Sequence, residues 1–255
     1  MKRDKERELA YNRRKVSKIN AQLYRLLERR FVLTNQIGKI KRELNIPIED
    51  LVVEDNIKKT LPHGIFDEYV RNILDKVIEE SKIQQKRSKF PSIILTGMPG
   101  CGKTTIAKNI SKELSIPFVD LDQIIESQER MTITEIFEKK GEDYFRKKER
   151  LLVKKLSAGC IIALGGGTVL NPVNVEYLKT IGKIVYLKRE MRLLKKIDLA
   201  ERPIAKTKKD LAELYKFRTP IYEEVADYVI DNNRLLELVY EDLKLLIIKL
   251  YKKKN

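Results

Sequence analysis

The sequence predicts two domains of different fold class, an all-α domain over residues 1–88 and an α/β domain over residues 91–255. Residues 1–88 contain glycine at two positions and proline at two, with charges throughout, which is typical of helices. From Phe90 onward the apolar runs "SIILTG", "CIIALGGG" and "KIVYL" alternate with helical stretches. This alternation indicates a parallel sheet with crossover helices. The segment "KRSKFPS", residues 86–92, is the predicted linker.

The first predicted element is a helix from about residue 5 to residue 44. Arg30 interrupts its apolar seam, and Lys41 lies on the same face, so both cations are expected to serve one anionic site. A structural salt bridge is the alternative for Arg30. Arg13 projects from a different side. The seam follows spacings of three and four: Val16, Ile19, Leu23, Leu26, Leu33, Ile37, Ile40 and Leu44.

At 1.5 Å per residue this helix would be roughly 60 Å long, too long for the rest of its domain to cover. A partner chain is therefore expected to cover it. Asp50 and Glu54 form an i, i+4 pair that opens a second helix, and Ser81 and Gln85 form another on a third.

The segments "RRKVSKINAQLYRLLERRFVLTNQIGKIK", "PIED" and "EESKIQQ" resemble the all-helical chorismate mutase family over about residues 10–88. The resemblance implies an intertwined homodimer of three-helix chains that converts chorismate to prephenate without a cofactor. It also implies that Arg13 of one chain and Arg30 of the other bind the two substrate carboxylates, assisted by Ser81.

By the same resemblance, Lys41 and Gln85 would donate to the ether oxygen of the substrate, where negative charge grows. Asp50 and Glu54 would orient the region of the substrate hydroxyl. The sequence departs from the family at Val53, where arginine is common. Because the implied rearrangement is concerted, catalysis in such a site would rest on holding the compact conformer and on hydrogen-bond donors rather than on a base or nucleophile.

The second domain opens with "GMPGCGKTT", residues 97–105, between a predicted buried strand and an amphipathic helix. It fits G-x-x-x-x-G-K-[ST], in which glycines let backbone N–H groups approach phosphates. Lys103 is expected at the terminal phosphates and the Thr104 hydroxyl at Mg²⁺. The expected nucleotide-binding residues of this loop are Gly97, Gly100, Gly102, Lys103, Thr104 and Thr105.

Later positions narrow the choice of phosphate acceptor. "PFVDLDQIIE" is expected to end a strand with Asp120 and Asp122, which alternation turns the same way, and a helix N-cap is the alternative. Arg146 in "GEDYFRKKE" is expected on a helix. The glycines at 165–167 follow an apolar strand and permit close approach of a small ligand. Arg202 and Arg218 flank a basic stretch.

The P-loop, D-x-D, F-R, G-G-G, R-P-I and R-x-P-x-Y-x-x-x-A, in this order, resemble shikimate kinase over nearly all of residues 91–250. The resemblance implies a nucleoside-monophosphate-kinase-like fold. It also implies transfer of the γ-phosphoryl group of ATP to the 3-hydroxyl of shikimate, with Mg²⁺ as the metal.

By this resemblance Asp120 would support the metal, and Asp122 would bind shikimate hydroxyls and act as the base. Arg146 and Arg218 would clamp the shikimate carboxylate, with the Gly165, Gly166 and Gly167 backbone beside the ring. Arg202 would reach the ATP phosphates from a mobile lid. The lid looks shorter than is usual for the family, and "RPIA" replaces the commoner "RPLL".

Composition excludes few partners. The net charge of +16 is compatible with nucleic acid, an anionic membrane or small anionic substrates. The absence of a run of eighteen apolar residues argues against a membrane partner, and two widely spaced cysteines favour a reducing cytoplasm.

A bifunctional enzyme of aromatic amino-acid biosynthesis is the predicted function. The alternative is a kinase with a non-catalytic helical dimerisation or regulatory domain. A basic P-loop ATPase that binds nucleic acid is disfavoured, because Arg30 and Lys41 lie in or beside an apolar seam and no basic–aromatic surface is apparent.

Overall fold

A computed structural model describes residues 2–60, 64–195 and 207–252. The chain divides into two compact units, Met1–Lys86 and Arg87–Asn255. Among the described residues, no helix is both long enough and apolar enough to cross a membrane.

The N-terminal unit consists of helices α1 (Lys2–Glu43), α2 (Leu51–Thr60) and α3 (Asp67–Arg87), as the sequence predicts. α1 is followed by Asn45 in a left-handed conformation (φ 54°), which ends the helical path of the chain. Asp50 caps α2, because its Oδ1 accepts a hydrogen bond of 3.1 Å from the backbone N–H of Val53.

Two different faces of α1 have different surroundings. Gly38 faces α3 so closely that a Cβ atom there would lie 2.8 Å from Cγ of Gln85. The predicted apolar seam is a separate face. Its members stay exposed in the chain, from 47% at Ile37 to 63% at Leu26. The seam is therefore not the surface that packs α1 onto its own domain.

The described residues of the C-terminal unit form five parallel strands in the order β2-β3-β1-β4-β5. The strands are β1 (Ser92–Thr96), β2 (Phe118–Asp120), β3 (Ile161–Ala163), β4 (Gly182–Lys188) and β5 (Tyr228–Asp231). All residues of β1 and β3 are buried, which agrees with their unbroken apolar sequence. The predicted parallel sheet is confirmed.

Helices connect these strands and cover the sheet. They are α4 (Lys103–Leu114), α5 (Leu121–Glu129), α6 (Ile133–Lys140), α7 (Glu142–Val153), α8 (Pro172–Ile181), α9 (Met191–Leu194), α10 (Lys208–Val225) and α11 (Leu236–Lys252), with a 3₁₀ turn at Thr168–Leu170. The chain leaves β1 toward β2 on one side and later crosses to β4 on the other. A ligand crevice is expected at such a reversal, beyond the carboxyl ends of the strands.

We predict that Gly182→Ala destabilises the C-terminal unit. A Cβ atom at this first position of β4 would lie 2.3 Å from the carbonyl oxygen of Ser92 on the neighbouring strand, so the strand pair must shift. The free energy of unfolding, measured by urea denaturation, should fall by about 1–3 kcal/mol. The exposed Lys179→Ala on α8 is the control and should change it by less than about 0.5 kcal/mol. Equal stability of the Gly182→Ala variant and the wild type would contradict the prediction.

Candidate active sites

The loop between β1 and α4 has the geometry of a phosphate cradle. Gly97, Gly100 and Gly102 have φ of 145°, 80° and 91°, a region that side chains disfavour. Gly102 is also the N-cap of α4 and provides no capping side chain, so the first N–H groups of the helix remain available to an anion. Lys103 is buried and its Nζ donates to the carbonyl oxygens of Gly97 (2.9 Å) and Met98 (3.1 Å), which folds it over the loop.

Asp120 connects this loop to the next strand. Its Oδ2 accepts a 2.6 Å hydrogen bond from the Thr104 hydroxyl, and its Oδ1 caps α5 by accepting from the N–H of Gln123 at 3.1 Å. The prediction that strand alternation aligns Asp120 with Asp122 was wrong. The strand ends at Asp120, and Asp122 lies in the first turn of α5. The hydroxyl and carboxylate of Thr104 and Asp120 are hard oxygen donors that fit Mg²⁺.

Asp122 carries an unsatisfied carboxylate oxygen. Its Oδ1 is inaccessible to solvent and has no hydrogen-bond partner in the described part of the chain. Burial raises the pKa of this carboxyl from 3.8 to about 6, Asp120 and Glu149 add to the rise, and Lys103 opposes it. A Cβ atom at Gly165 would lie 2.6 Å from this oxygen, so only glycine admits the carboxylate here.

Arg146 approaches the same glycine turn from α7. Its Nε and Nη2 donate to Oε1 of Glu142 at 3.1 and 2.9 Å, and its Nη1 donates to Oε2 of Glu149 at 3.0 Å. Glu149 is 1% exposed and also accepts a 2.6 Å hydrogen bond from the Thr168 hydroxyl. A Cβ atom at Gly167 would lie 2.5 Å from Nη2 of Arg146. The guanidinium is therefore pressed against the backbone of the turn.

Arg218 approaches from α10. It is 4% exposed, and its Nε has no partner in the part of the chain that the structure describes. A Cβ atom at Gly166 would lie 3.3 Å from its Nη1. Four residues later, the hydroxyl of Tyr222 donates to the Gly166 carbonyl oxygen, and burial raises the pKa of Tyr222 and keeps that donor protonated. The predicted aspartate and both arginines thus meet at the glycine turn.

In the N-terminal unit, Arg30 reaches from α1 to α3. Its Nη1 donates to the Ser81 hydroxyl and to the carbonyl oxygen of Val77 at 3.3 Å. Burial lowers the pKa of Arg30. Ser81 and Gln85 are buried on α3, at 3% and 7% exposure. The structure therefore brings together Arg30 and Ser81, with Gln85 one turn further along the same helix.

The other predicted residues of this unit make separate contacts. Nζ of Lys41 donates to the carbonyl oxygen of Ile48 at 3.0 Å. The Glu54 carboxylate pairs with Lys82 at 2.8 Å, which raises the pKa of Lys82. Arg13 is exposed, and its seventeen-residue separation from Arg30 corresponds to about 25 Å along the helix axis. Arg13 therefore cannot serve the Arg30 site of its own chain while α1 stays helical.

Comparison with known proteins agrees with this arrangement. A family model described as shikimate kinase matches residues 99–246, more than half of the chain. The chain belongs to the shikimate kinase family. A second model, chorismate mutase type II, matches residues 12–86, so a chorismate mutase type II domain precedes the kinase domain. Both resemblances drawn from the sequence are confirmed.

Relatives within the kinase family cover the C-terminal unit. A shikimate kinase of Clostridium botulinum (strain Alaska E43 / Type E3) is 40% identical over 160 residues, 61% of this chain and 96% of the relative. One from Caldanaerobacter subterraneus subsp. tengcongensis is 41% identical over 167 residues, 62% and 97% of the two chains. The structure of shikimate kinase from Acinetobacter baumannii in complex with shikimate has a TM-score of 0.58 at 32% identity, covering 65% of this chain and 97% of that chain.

Several residues that contact the glycine turn, its arginines or the phosphate loop were missed by sequence reasoning. Glu142 and Glu149 lie four residues before and three after Arg146, a helical spacing that could have identified them. Asn232 gives no local signal, yet its buried side-chain amide donates to the carbonyl oxygen of Cys101 at 2.5 Å and fixes the peptide that leads to Gly102. Thr168 and Tyr222 were likewise missed.

Of the predicted nucleotide-binding residues, Thr105 is exposed on the first turn of α4, and Arg202 lies outside the described residues.

We predict that Asp122→Asn stabilises the kinase domain while inactivating it. The folded pKa lies above its unfolded value, so ionised Asp122 costs stability above about pH 6, and this cost disappears as the pH falls toward 4. At neutral pH the free energy of unfolding of the variant should exceed that of the wild type by about 1–3 kcal/mol. Turnover should fall by about 10²-fold or more, as for loss of a general base. Urea denaturation on both sides of pH 6, with ADP release, checks both effects. An Asp122→Asn variant that is less stable than the wild type at neutral pH would contradict the raised pKa of Asp122.

Proposed function

We propose that this chain is a bifunctional enzyme of aromatic amino-acid biosynthesis. Residues 91–255 would phosphorylate the 3-hydroxyl of shikimate with ATP, and residues 1–88 would rearrange chorismate to prephenate. We place both reactions in the cytoplasm, in keeping with the two cysteines, Cys101 and Cys160, which form no disulfide framework.

One observation carries the kinase assignment. The unpartnered Oδ1 of Asp122 lies at a glycine turn that Arg146 and Arg218 also contact, next to a phosphate-binding loop. A hydroxyl donated to Asp122 and a carboxylate bound by the two guanidinium groups would satisfy these side chains together. Shikimate offers both groups on one small ring, so the site fits its acceptor chemistry.

In the proposed reaction the residues of this chain mainly hold and orient. Asp122 accepts the proton of the shikimate hydroxyl as that oxygen bonds to the γ-phosphorus of ATP, and the bond from the γ-phosphorus to the bridging oxygen breaks to release ADP. Lys103 turns from the carbonyl oxygens of its loop to the terminal phosphate oxygens, where it offsets the charge of the transition state. Mg–ATP supplies the phosphoryl group, and Thr104 and Asp120 would hold the metal. Arg202 is proposed to reach the same phosphates.

Replacing Arg218 tests the acceptor assignment. Arg218→Lys replaces a planar guanidinium, which can bind a carboxylate through two parallel hydrogen bonds, with a single ammonium group. KM for shikimate should therefore rise about tenfold or more. KM for ATP should change less than about threefold, because the change is confined to the acceptor. The control is Arg150→Lys, an exposed arginine on α7 that should leave both values unchanged. ADP release that does not depend on shikimate in the wild type would contradict the kinase proposal.

The mutase proposal rests on Arg30, Ser81 and Gln85, which together can bind a substrate carboxylate and an ether oxygen. Lys41 would leave the carbonyl oxygen of Ile48 and donate to that ether oxygen. The rearrangement is concerted, so holding the compact conformer and stabilising the developing charge are sufficient. Asp50 and Glu54 are proposed to orient the substrate hydroxyl region.

We further propose that this domain forms an intertwined homodimer through α1. The exposed seam of α1 supports this, because a second chain would bury it. The distance of about 25 Å from Arg13 to Arg30 along the helix supports it as well, because Arg13 can then complete the site of the partner chain.

Mixing two inactive variants tests the mutase and the dimer together. Arg13→Ala and Lys41→Ala should each abolish most chorismate turnover, whereas the exposed Lys39→Ala control should retain it. Random co-assembly of the two variants makes half the dimers mixed, each with one intact site, so about a quarter of wild-type turnover should return.

Each other outcome of this experiment has a distinct meaning. No recovery in the mixture would contradict the shared site. Full turnover by Lys41→Ala would contradict the role of Lys41. A wild-type chain that phosphorylates shikimate but leaves chorismate unchanged would make the helices a dimerisation or regulatory domain.

A further inference from the structure

The guanidinium of Arg146 has one edge that is occupied by an exchangeable partner. Nε and Nη2, the pair of donors that suits a carboxylate, both point to Oε1 of Glu142, at 3.1 and 2.9 Å. A substrate carboxylate bound through this edge would have to replace Glu142.

Glu142 and Glu149 differ in how firmly they are held. The Glu149 side chain is 2% exposed and is fixed by both Arg146 and the Thr168 hydroxyl. The Glu142 side chain is 52% exposed, and it lies in the first turn of α7. Water can replace Arg146 as a partner of Glu142 at little cost, because exposed ion pairs are weak. Glu149 therefore orients Arg146, whereas Glu142 can leave it.

The surrounding charges explain why such a partner is useful. Arg146 and Arg218 contact adjacent residues of the glycine turn, so an empty site holds two cations close together. A carboxylate on Arg146 reduces their repulsion, and it also competes with small anions that would otherwise occupy the site.

We propose that Glu142 sets the affinity of the acceptor site by competing with the acceptor carboxylate for Arg146. This inference rests on the proposed phosphorylation of shikimate. A ligand that also contacts Arg218 and Asp122 still displaces Glu142 at low concentration, whereas a simple carboxylate, which has only the guanidinium to bind, needs a much higher concentration. Glu142 thus lowers the affinity for every carboxylate by a similar factor.

Glu142→Gln in the full-length chain tests the proposal. The amide is nearly isosteric and does not carry the competing charge, so KM for shikimate should fall about twofold to fivefold, the range set by an exposed ion pair. Inhibition by acetate should strengthen by a similar factor. KM for ATP should stay the same. The control is Asp143→Asn, which removes the same charge from the next, exposed position of α7 and should leave KM for shikimate unchanged.

An unchanged or higher KM for shikimate in Glu142→Gln would overturn the proposal. If Glu142 only oriented Arg146, its replacement would weaken shikimate binding and raise KM. An equal fall in Asp143→Asn would also overturn it and indicate a general charge effect.

Isothermal titration with shikimate separates this proposal from the kinase assignment. Binding must be tighter in Glu142→Gln than in the wild type even if no ADP is released. Absent ADP release in the wild type would contradict the proposed function, whereas no gain in affinity would contradict the competition.

Discussion

The kinase site depends on one steric constraint, the close approach of ionised side chains to a backbone turn that has no side chains of its own. Asp122, Arg146 and Arg218 each approach a different residue of Gly165–Gly167. A Cβ atom would lie 2.6 Å from Asp122 at Gly165 and 2.5 Å from Arg146 at Gly167, too close without a shift, and a tight 3.3 Å from Arg218 at Gly166. Each of the three comes from a separate helix, so α5, α7 and α10 must all pack to place them. The glycine turn is thus the common reference point for three elements far apart in sequence.

This convergence of charge has an energetic cost that the fold offsets locally. The pKa of Asp122 is raised by burial, and Lys103 at the start of α4 limits that rise. The carboxylate of Glu149, on the same helix, offsets the positive charge of Arg146 through Oε2. The second oxygen of Glu149, Oε1, accepts a hydrogen bond from the Thr168 hydroxyl. Among the described residues, the buried polar atoms without a hydrogen-bond partner include Oδ1 of Asp122 and Nε of Arg218, which belong to two of the side chains that approach the turn. Natural sites commonly sacrifice stability in this way where a ligand will later supply the missing partners.

Patterns between residues close in sequence were sufficient to predict much of the fold. The parallel sheet, the phosphate loop and the three N-terminal helices followed from periodicity and from glycine spacing, because those features depend on neighbours in sequence. Alternation failed at Asp122 because Asp120 caps a helix and ends the strand two residues too early for the pattern. The length of α1 predicted that its own domain could not cover the apolar seam, and the seam is exposed in the chain. The bond from Tyr222 to Gly166 joins residues 56 apart, and sequence spacing does not encode such a contact.

The hydrogen bond from Asn232 to the Cys101 carbonyl bears on the order in which the protein is built. It joins residues 131 apart, and Asn232 directly follows the last strand of the sheet. During synthesis the N-terminal helices leave the ribosome first and can fold early, as N-terminal domains generally do. The phosphate loop emerges soon afterwards, yet its peptide is fixed only when residue 232 is available. A nascent chain therefore completes its nucleotide cradle only after residue 232 has left the ribosome, 131 residues after Cys101.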